Sequence, residues 1–104
     1  MILTVGDMAP DFSLCNENGQ PIKLSSLWGK KIVLYFYPKD MTPGCTLEAE
    51  NFRDKIELFD TKNTLIIGVS KDDEIRHKKF KERYRLPFLL VADVDGAVCK
   101  SYGV

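Results

Sequence analysis

The chain has 104 residues, and its formal net charge is zero because 15 Lys and Arg balance 15 Asp and Glu. This length fits a single domain, residues 1–104, and 44% hydrophobic with 29% charged residues excludes a disordered chain. A neutral chain lacks the field that attracts nucleic acid or an anionic membrane. The longest apolar run, residues 32–37, is too short to span a bilayer. We expect no secretory leader and a cytoplasmic protein without nucleic-acid or membrane partners.

The predicted elements start with a β-hairpin, whose turn lies at Asn18-Gly19 between two alternating apolar segments. Three apolar runs follow and predict strands that are buried on both faces, at residues 32–37, 65–69 and 88–92. Helical segments separate these strands, and a last helix covers residues 97–102. This order predicts an α/β fold with parallel or mixed pairing and right-handed crossovers. The aromatic residues Trp28, Tyr35 and Tyr37 are expected in the core.

A helix is also predicted from a capping box at residues 70–73 to about Tyr84, and it is densely basic. One interpretation is a docking face for an acidic partner or nucleic acid. The favoured interpretation is a solvated helix face, with Ile75, Phe80 and Tyr84 directed inward. His77 is the only histidine, and we assign it to the polar helix without a catalytic role.

The three cysteines Cys15, Cys45 and Cys99 are widely spaced and form no Cys-x-x-Cys pair. A disulfide scaffold would need an even and dense set, and a zinc site would need close pairs with more than one histidine. We therefore expect no metal site and free thiols in a reducing compartment. Each cysteine then matters through its reactivity or as a small buried residue.

Cys45 lies in the first turn of a helix predicted over residues 45–59, after a loop that leaves a buried strand. The N-terminus of a helix favours a thiolate, and its unpaired N–H groups can hold the charge of a leaving oxygen. Pro43 sets the turn, and Gly44 allows a ligand to approach the backbone. The Thr42 hydroxyl is expected near the sulfur or a substrate oxygen. Position alone leaves open whether the thiol is reactive or inert.

The loop before this helix reads Pro38-Lys39-Asp40-Met41-Thr42-Pro43-Gly44-Cys45. Its form, Pro-x-x-x-Thr-x-x-Cys, resembles the active-site motif of the peroxiredoxins. Together with the flanking residues 36–49, it is similar to the bacterioferritin-comigratory-protein branch, also called peroxiredoxin Q. Landmarks of that branch also match near the N-terminus, at residues 6–14, and in the second half of the chain, at residues 86–88 and 95–104. The resemblance covers essentially all of the chain.

This resemblance implies a thioredoxin-like fold and a thiol peroxidase that reduces hydrogen peroxide and organic hydroperoxides. Cys45 would be the peroxidatic nucleophile that becomes a sulfenic acid. Thr42 would hydrogen-bond the peroxide, and Pro38 would shield the sulfur from water. The amides of Gly44 and Cys45 would bind the peroxide oxygens, and Glu48 would orient an arginine of the family. Electrons would come from thioredoxin or another thiol, and no cofactor is implied.

The sequence departs from the family pattern at the resolving cysteine. Many members of the branch carry one five residues after the nucleophile, where this chain has Glu50. Three routes stay open: attack on Cys45 by an external thiol, which we favour, or by Cys99 or Cys15. An intramolecular disulfide would need Cα atoms within about 7 Å.

The second departure is length, because family members typically continue past Val104 with two strands, a helix and the arginine. We therefore expect a C-terminally truncated fold without that arginine. Arg53 is a poor substitute, since it lies about 12 Å further along the helix than Cys45. An unpaired edge on strand 32–37 would favour a dimer in a family of monomers. The alternative function is a catalytically weak or inert thioredoxin-fold fragment or interaction module.

Overall fold

The computed structural model describes residues 3–104. Within this range the strands are β1 (Ser13–Asn16), β2 (Pro21–Lys23), β3 (Lys31–Phe36), β4 (Thr64–Ser70) and β5 (Leu89–Ala92). The α-helices are α1 (Pro43–Asp54), α2 (Ile56–Thr61), α3 (Glu74–Tyr84) and α4 (Ala97–Ser101), and a 3-10 turn covers Leu24–Leu27. None of these helices has the length and hydrophobicity that a membrane crossing requires. The predicted α/β fold with an N-terminal hairpin is confirmed.

The strands form one mixed sheet in the order β2-β1-β5-β4-β3. Strands β3, β4 and β5 are parallel, with helices in the crossovers, whereas β1 runs antiparallel to both β2 and β5. Strand β4 lies between β3 and β5, and its Gly68 pairs with Tyr35 on one side and Leu90 on the other. Strand β3 lies at one edge of the described sheet.

Residues that alternate along the central strands fill two cores, one on each face of the sheet. Ile66 of β4 and Leu90 of β5 belong to the core beneath α1, α2 and α3, which we call the helical core. Ile67 of β4 and Val91 of β5 belong to the core beneath the hairpin and α4, the hairpin core. Both faces are therefore apolar, which explains why these strands read as continuous apolar runs.

The helix predicted over residues 45–59 is wrong in its continuity, because two helices meet at Lys55. The Lys55 N–H donates to the Phe52 carbonyl, three residues back, at 3.2 Å. This tighter turn ends α1 before α2 begins. Cys45 is nevertheless in the first turn of α1, as predicted.

The predicted capping box before α3 is also wrong. Ser70 extends β4, and its hydroxyl donates to Asp72 Oδ2 at 2.7 Å. The cap is Asp73, whose Oδ1 accepts the Arg76 N–H at 2.9 Å. Ser70 therefore lies three residues before the cap, at the end of the strand.

Three burial predictions are corrected as well. Ile75 is 67% exposed, whereas His77 is fully buried beside Phe80. At about 100° per residue, His77 lies about 60° from Phe80 around the helix and Ile75 about 140° away, so geometry favours the histidine. Trp28 is 63% exposed and lies where the chain leaves the 3-10 turn. Tyr37 is buried in the helical core as predicted, and Tyr35 packs against it partly buried.

Candidate functional site

The candidate site lies where the chain passes from the carboxyl end of β3 into α1. Open parallel sheets place their ligand sites at this end of the strands. The helix begins with Thr42 as its N-cap and Pro43 in the first helical position, so Cys45 is the third helical residue. The Cys45 side chain is 9% exposed and packs in the helical core beside Ala49. The thiol is thus nearly buried, at the start of a helix.

Two backbone amides beside this thiol are available to a ligand. Within residues 3–104, the Thr42 side chain makes no capping hydrogen bond, because its Oγ1 donates to the Lys39 carbonyl at 3.0 Å. The first intrahelical bond runs from the Thr46 N–H to the Thr42 carbonyl at 2.8 Å. The N–H groups of Gly44 and Cys45 therefore have no acceptor within the helix. They can donate to an oxygen that approaches the sulfur.

Gly44 also lines a groove along α1 and α2, whereas Cys45 is not among its lining residues. Its lining residues are Gly44, Leu47, Glu48, Asn51, Phe52, Lys55 and Phe59. No atom comes within 4 Å of the place where a Cβ on Gly44 would lie, so a ligand can reach the backbone there. The groove combines an apolar wall with a carboxylate and an ammonium group.

Two of the predicted site residues, Glu48 and Pro38, line different pockets. Glu48 is exposed and lies on the groove. Burial raises the pKa of Tyr35 well above its ordinary value, and the nearby charges of Glu48, Asp40 and Cys45 raise it further. Pro38 is exposed and lines a different pocket, which Cys99 also lines. The structure therefore brings Glu48, but not Pro38, to the groove at Gly44.

The other two cysteines, Cys15 in β1 and Cys99 in α4, are free thiols like Cys45. Cys99 follows Val98, which belongs to the hairpin core, whereas Cys45 belongs to the helical core on the opposite face of the sheet. Burial raises the pKa of the Cys99 thiol to about 11, with a further contribution from Asp93. Burial also raises the pKa of Cys15 in β1, and the Glu74 carboxylate adds to this effect. Both thiols are therefore poor nucleophiles at neutral pH.

Arg53 is engaged elsewhere, in agreement with the prediction that it is a poor active-site arginine. Its Nη1 donates to the Tyr84 carbonyl at 2.8 Å and its Nε to Asp54 at 3.0 Å. Its Nη2 lies 3.5 Å from Glu50. The guanidinium group thus contacts two carboxylates of α1 itself and the last residue of α3, so none of its nitrogens is free.

The structure reveals a buried polar network that the sequence analysis missed. Tyr37 Oη donates to Asp40 Oδ1 at 2.5 Å, and His77 Nδ1 lies 2.6 Å from Asp40 Oδ2. His77 Nε2 lies 3.0 Å from the Val91 carbonyl. The signals were present, because Asp40 lies within the motif loop and His77 shares a helix face with Phe80.

Asp72 borders this network and completes a group of ligand-type atoms. Oxygen and nitrogen atoms of Asp40, Asp72 and His77 lie within 4.8 Å of one another. Each is already engaged, however: Asp72 Oδ2 accepts from the Asp40 N–H at 2.7 Å and Asp72 Oδ1 accepts from Arg76 Nε at 3.0 Å. We interpret the group as a hydrogen-bond network.

Comparison with known proteins gives consistent matches over the whole chain. Residues 5–104 match the model of the AhpC/TSA family. The chain is 50% identical over 104 residues to peroxiredoxin Bcp of Bacillus subtilis (strain 168). The aligned region covers 100% of this chain and 66% of that protein. The chain therefore spans slightly less than two thirds of the length of this relative.

Two solved structures extend the similarity to the fold. Peroxidoxin BcpB from Mycobacterium tuberculosis superposes with a TM-score of 0.92 at 40% identity, over 95% of this chain and 65% of that chain. The bacterioferritin comigratory protein of Xanthomonas campestris, studied for its alkyl peroxide reduction activity, superposes with a TM-score of 0.87 at 36% identity. That match covers 89% of this chain and 59% of the other. The thioredoxin-like fold of the peroxiredoxins is thereby confirmed.

Proposed function

Because the chain belongs to the AhpC/TSA family, we propose that it is a thiol peroxidase of the peroxiredoxin Q type, with Cys45 as its nucleophile. The observation that carries this proposal is the position of Cys45 beside two amides that no side chain of the described residues caps. An inert buried cysteine would not need an open helix end, and a threonine N-cap normally closes that end with its own hydroxyl.

The first step is attack of the Cys45 thiolate on one peroxide oxygen. A sulfur–oxygen bond forms, the oxygen–oxygen bond breaks, and sulfur is oxidised by two electrons to a sulfenic acid. The second oxygen leaves as hydroxide or alkoxide and takes a proton to become water or an alcohol. The N–H groups of Gly44 and Cys45 stabilise the negative charge that develops on the oxygens.

Thr42 orients the peroxide as a hydrogen-bond acceptor. Its hydroxyl proton is committed to the Lys39 carbonyl at 3.0 Å, which leaves the oxygen lone pairs free. A protonated peroxide can donate its O–H to this oxygen while its oxygens accept from the helix amides. The two sets of bonds hold the peroxide in one orientation beside the sulfur.

An external thiol completes the cycle. It attacks the sulfenic sulfur of Cys45, releases water and forms a mixed disulfide, which a second thiol reduces. The raised thiol pKa values of Cys99 and Cys15 favour this route over an intramolecular disulfide. Thioredoxin or a similar dithiol protein is the reductant that we propose.

The substrates that we propose are hydrogen peroxide and organic hydroperoxides. Leu47, Phe52 and Phe59 give the groove beside Gly44 an apolar wall that suits an alkyl chain. The alkyl peroxide reduction activity of the Xanthomonas campestris relative agrees with this choice. Shielding of the sulfur by Pro38, the role of Glu48, the cytoplasmic location and self-association through the β3 edge stay predictions.

The test is oxidation of the reduced full chain with one equivalent of hydrogen peroxide in the presence of a sulfenic-acid trap, followed by peptide mapping. We expect the trap on Cys45, with Cys15 and Cys99 unmodified, and no adduct at position 45 in a Cys45→Ser control. Slow oxidation that is spread evenly over the three thiols would support the alternative of an inert thioredoxin-fold module.

A further inference from the structure

The network of Tyr37, Asp40 and His77 has no part in the reaction as proposed, yet it lies directly beneath the reactive loop. His77 is fully buried and Asp40 is 1% exposed. The network joins three elements, because Tyr37 and Asp40 lie between β3 and α1, His77 lies in α3, and the Val91 carbonyl belongs to β5. A buried polar group is costly unless it is fully paired, so this pairing is specific.

The hydrogen bonds determine where the protons lie. A carbonyl only accepts, so His77 Nε2 carries a proton and donates it to Val91 at 3.0 Å. Tyr37 donates to Asp40 Oδ1, and a further proton lies between Asp40 Oδ2 and His77 Nδ1. Burial lowers the pKa of His77, but the hydrogen bond and charge of Asp40 outweigh burial and raise it overall.

We propose that His77 is a positioning residue for the Cys45 reaction, and this inference rests on the proposed function. By holding Asp40, His77 fixes the loop that presents Thr42 and Cys45 to the peroxide. Asp40 is the last fully buried residue of the loop before Thr42, and its own N–H is held by Asp72 at 2.7 Å. The carboxylate is thus the anchor from which the loop enters α1.

The backbone conformation of Met41, next to Asp40, shows why the loop needs to be held in place. Met41 adopts the left-handed conformation, with φ of 64°, which is unfavourable for a residue with a side chain. Strained residues persist only where neighbouring structure determines them. Asp40 on one side and the start of α1 at Thr42 on the other hold Met41 in this conformation. Loss of the His77 contact would release the loop and misplace the Thr42 oxygen.

Two substitutions of His77 separate positioning from packing. The amide nitrogen of asparagine takes the position of Nδ1 and can still donate to Asp40, whereas that of glutamine takes the position of Nε2 and can donate only to Val91. If His77 acts through Asp40, His77→Asn should therefore keep more of the peroxide reaction rate than His77→Gln. Packing alone predicts the reverse order, because the smaller asparagine leaves the larger cavity.

The experiment measures the rate constants of Cys45 with hydrogen peroxide and with iodoacetamide in the full chain. Alkylation needs an accessible thiolate but not an oriented peroxide. We expect His77→Gln to slow the peroxide reaction by about tenfold or more and His77→Asn by no more than about threefold. Alkylation should change by less than about threefold in both variants. Lys79→Gln, on the exposed face of the same helix, is the matched control.

Three results would overturn the inference: a wild-type peroxide rate in His77→Gln, a slower rate in His77→Asn than in His77→Gln, or equal losses in both reactions. If neither His77 variant folds, Asp40→Leu replaces them, since it has a similar shape but can hydrogen-bond neither Tyr37 nor His77. A wild-type peroxide rate in Asp40→Leu would also overturn the inference. Failure of the proposed function is distinct, because Cys45 of the wild type would then show no selective reaction with peroxide.

Discussion

Asp93 sets the properties of Cys99 through its position before α4. This carboxylate is fully buried, and its oxygens accept the N–H groups of Val98 at 3.1 Å and Cys99 at 2.8 Å. Asp93 therefore caps the first N–H groups of α4, whereas the Thr42 side chain does not cap those of α1. Burial, supported by this carboxylate, raises the pKa of Cys99 to about 11 despite the nearby charge of Lys71.

Substitution of Cys99 by serine tests this contrast. We predict that Cys99→Ser changes the rate at which the Cys45 sulfenic acid is consumed by less than about twofold, because a protonated Cys99 thiol does not attack the sulfenic sulfur. Intact mass after peroxide treatment should show no Cys45–Cys99 disulfide in the wild type at neutral pH. A disulfide between these two residues, formed as fast as the sulfenic acid disappears, would contradict the prediction.

Strand β4 depends on the absence of a side chain at its centre. A Cβ on Gly68 would lie 2.9 Å from the Tyr35 phenol and 2.9 Å from Leu90 Cδ2. These neighbours belong to the two strands that pair with Gly68. The close approach lets Tyr35 stack on Tyr37, with ring centroids 5.5 Å apart. The strand therefore supports the wall of the core in which Cys45 lies.

We predict that Gly68→Ala lowers the free energy of unfolding by about 1–3 kcal/mol, because the methyl group forces the packed neighbours to move. Urea unfolding followed by circular dichroism measures this change. Gly44→Ala is the control, since it meets open space in the first turn of α1, and its unfolding midpoint should not fall. Equal stability of Gly68→Ala and wild type would show that the close contact is not structurally important.

The positions of the central strands and of Cys45 could be predicted because both depend on local sequence. A strand buried on both faces must be continuously apolar, and Pro43-Gly44 before a helical repeat indicates a helix start. The burial of His77 could not be predicted with the same ease, because its partners, Asp40 and the Val91 carbonyl, come from other elements. The start of α3 was misplaced for a similar reason, since Ser70 pairs in β4.

At the scale of the whole molecule, the same network links stability to pH. His77 faces Asp40 and Tyr37 from the loop after β3, Asp72 from the loop before α3, and the Val91 carbonyl from β5. Its pKa is higher in the folded state than its ordinary value of about 6.5. The folded state therefore binds the proton more tightly than the unfolded state does.

We predict that the stabilisation from His77 is complete below about pH 6.5 and is lost as pH rises through the higher folded value. Wild type should then have the higher free energy of unfolding at about pH 6, and its advantage over His77→Gln should become smaller as pH rises to about 9. Urea unfolding at a series of pH values measures this difference. If the difference in the free energy of unfolding between the two proteins instead widens as pH rises, His77 is neutral in the folded state.

The central claim is that Cys45 is a peroxidatic nucleophile, and its rate constant with hydrogen peroxide tests this most directly. The measurement is a quenched time course on the reduced full chain, with each cysteine quantified by mass spectrometry. We predict that Cys45 reacts at least about a hundredfold faster than Cys15 and Cys99, because only its helix start offers free amide donors and an acceptor for the peroxide. Equal rates at the three cysteines would contradict this account.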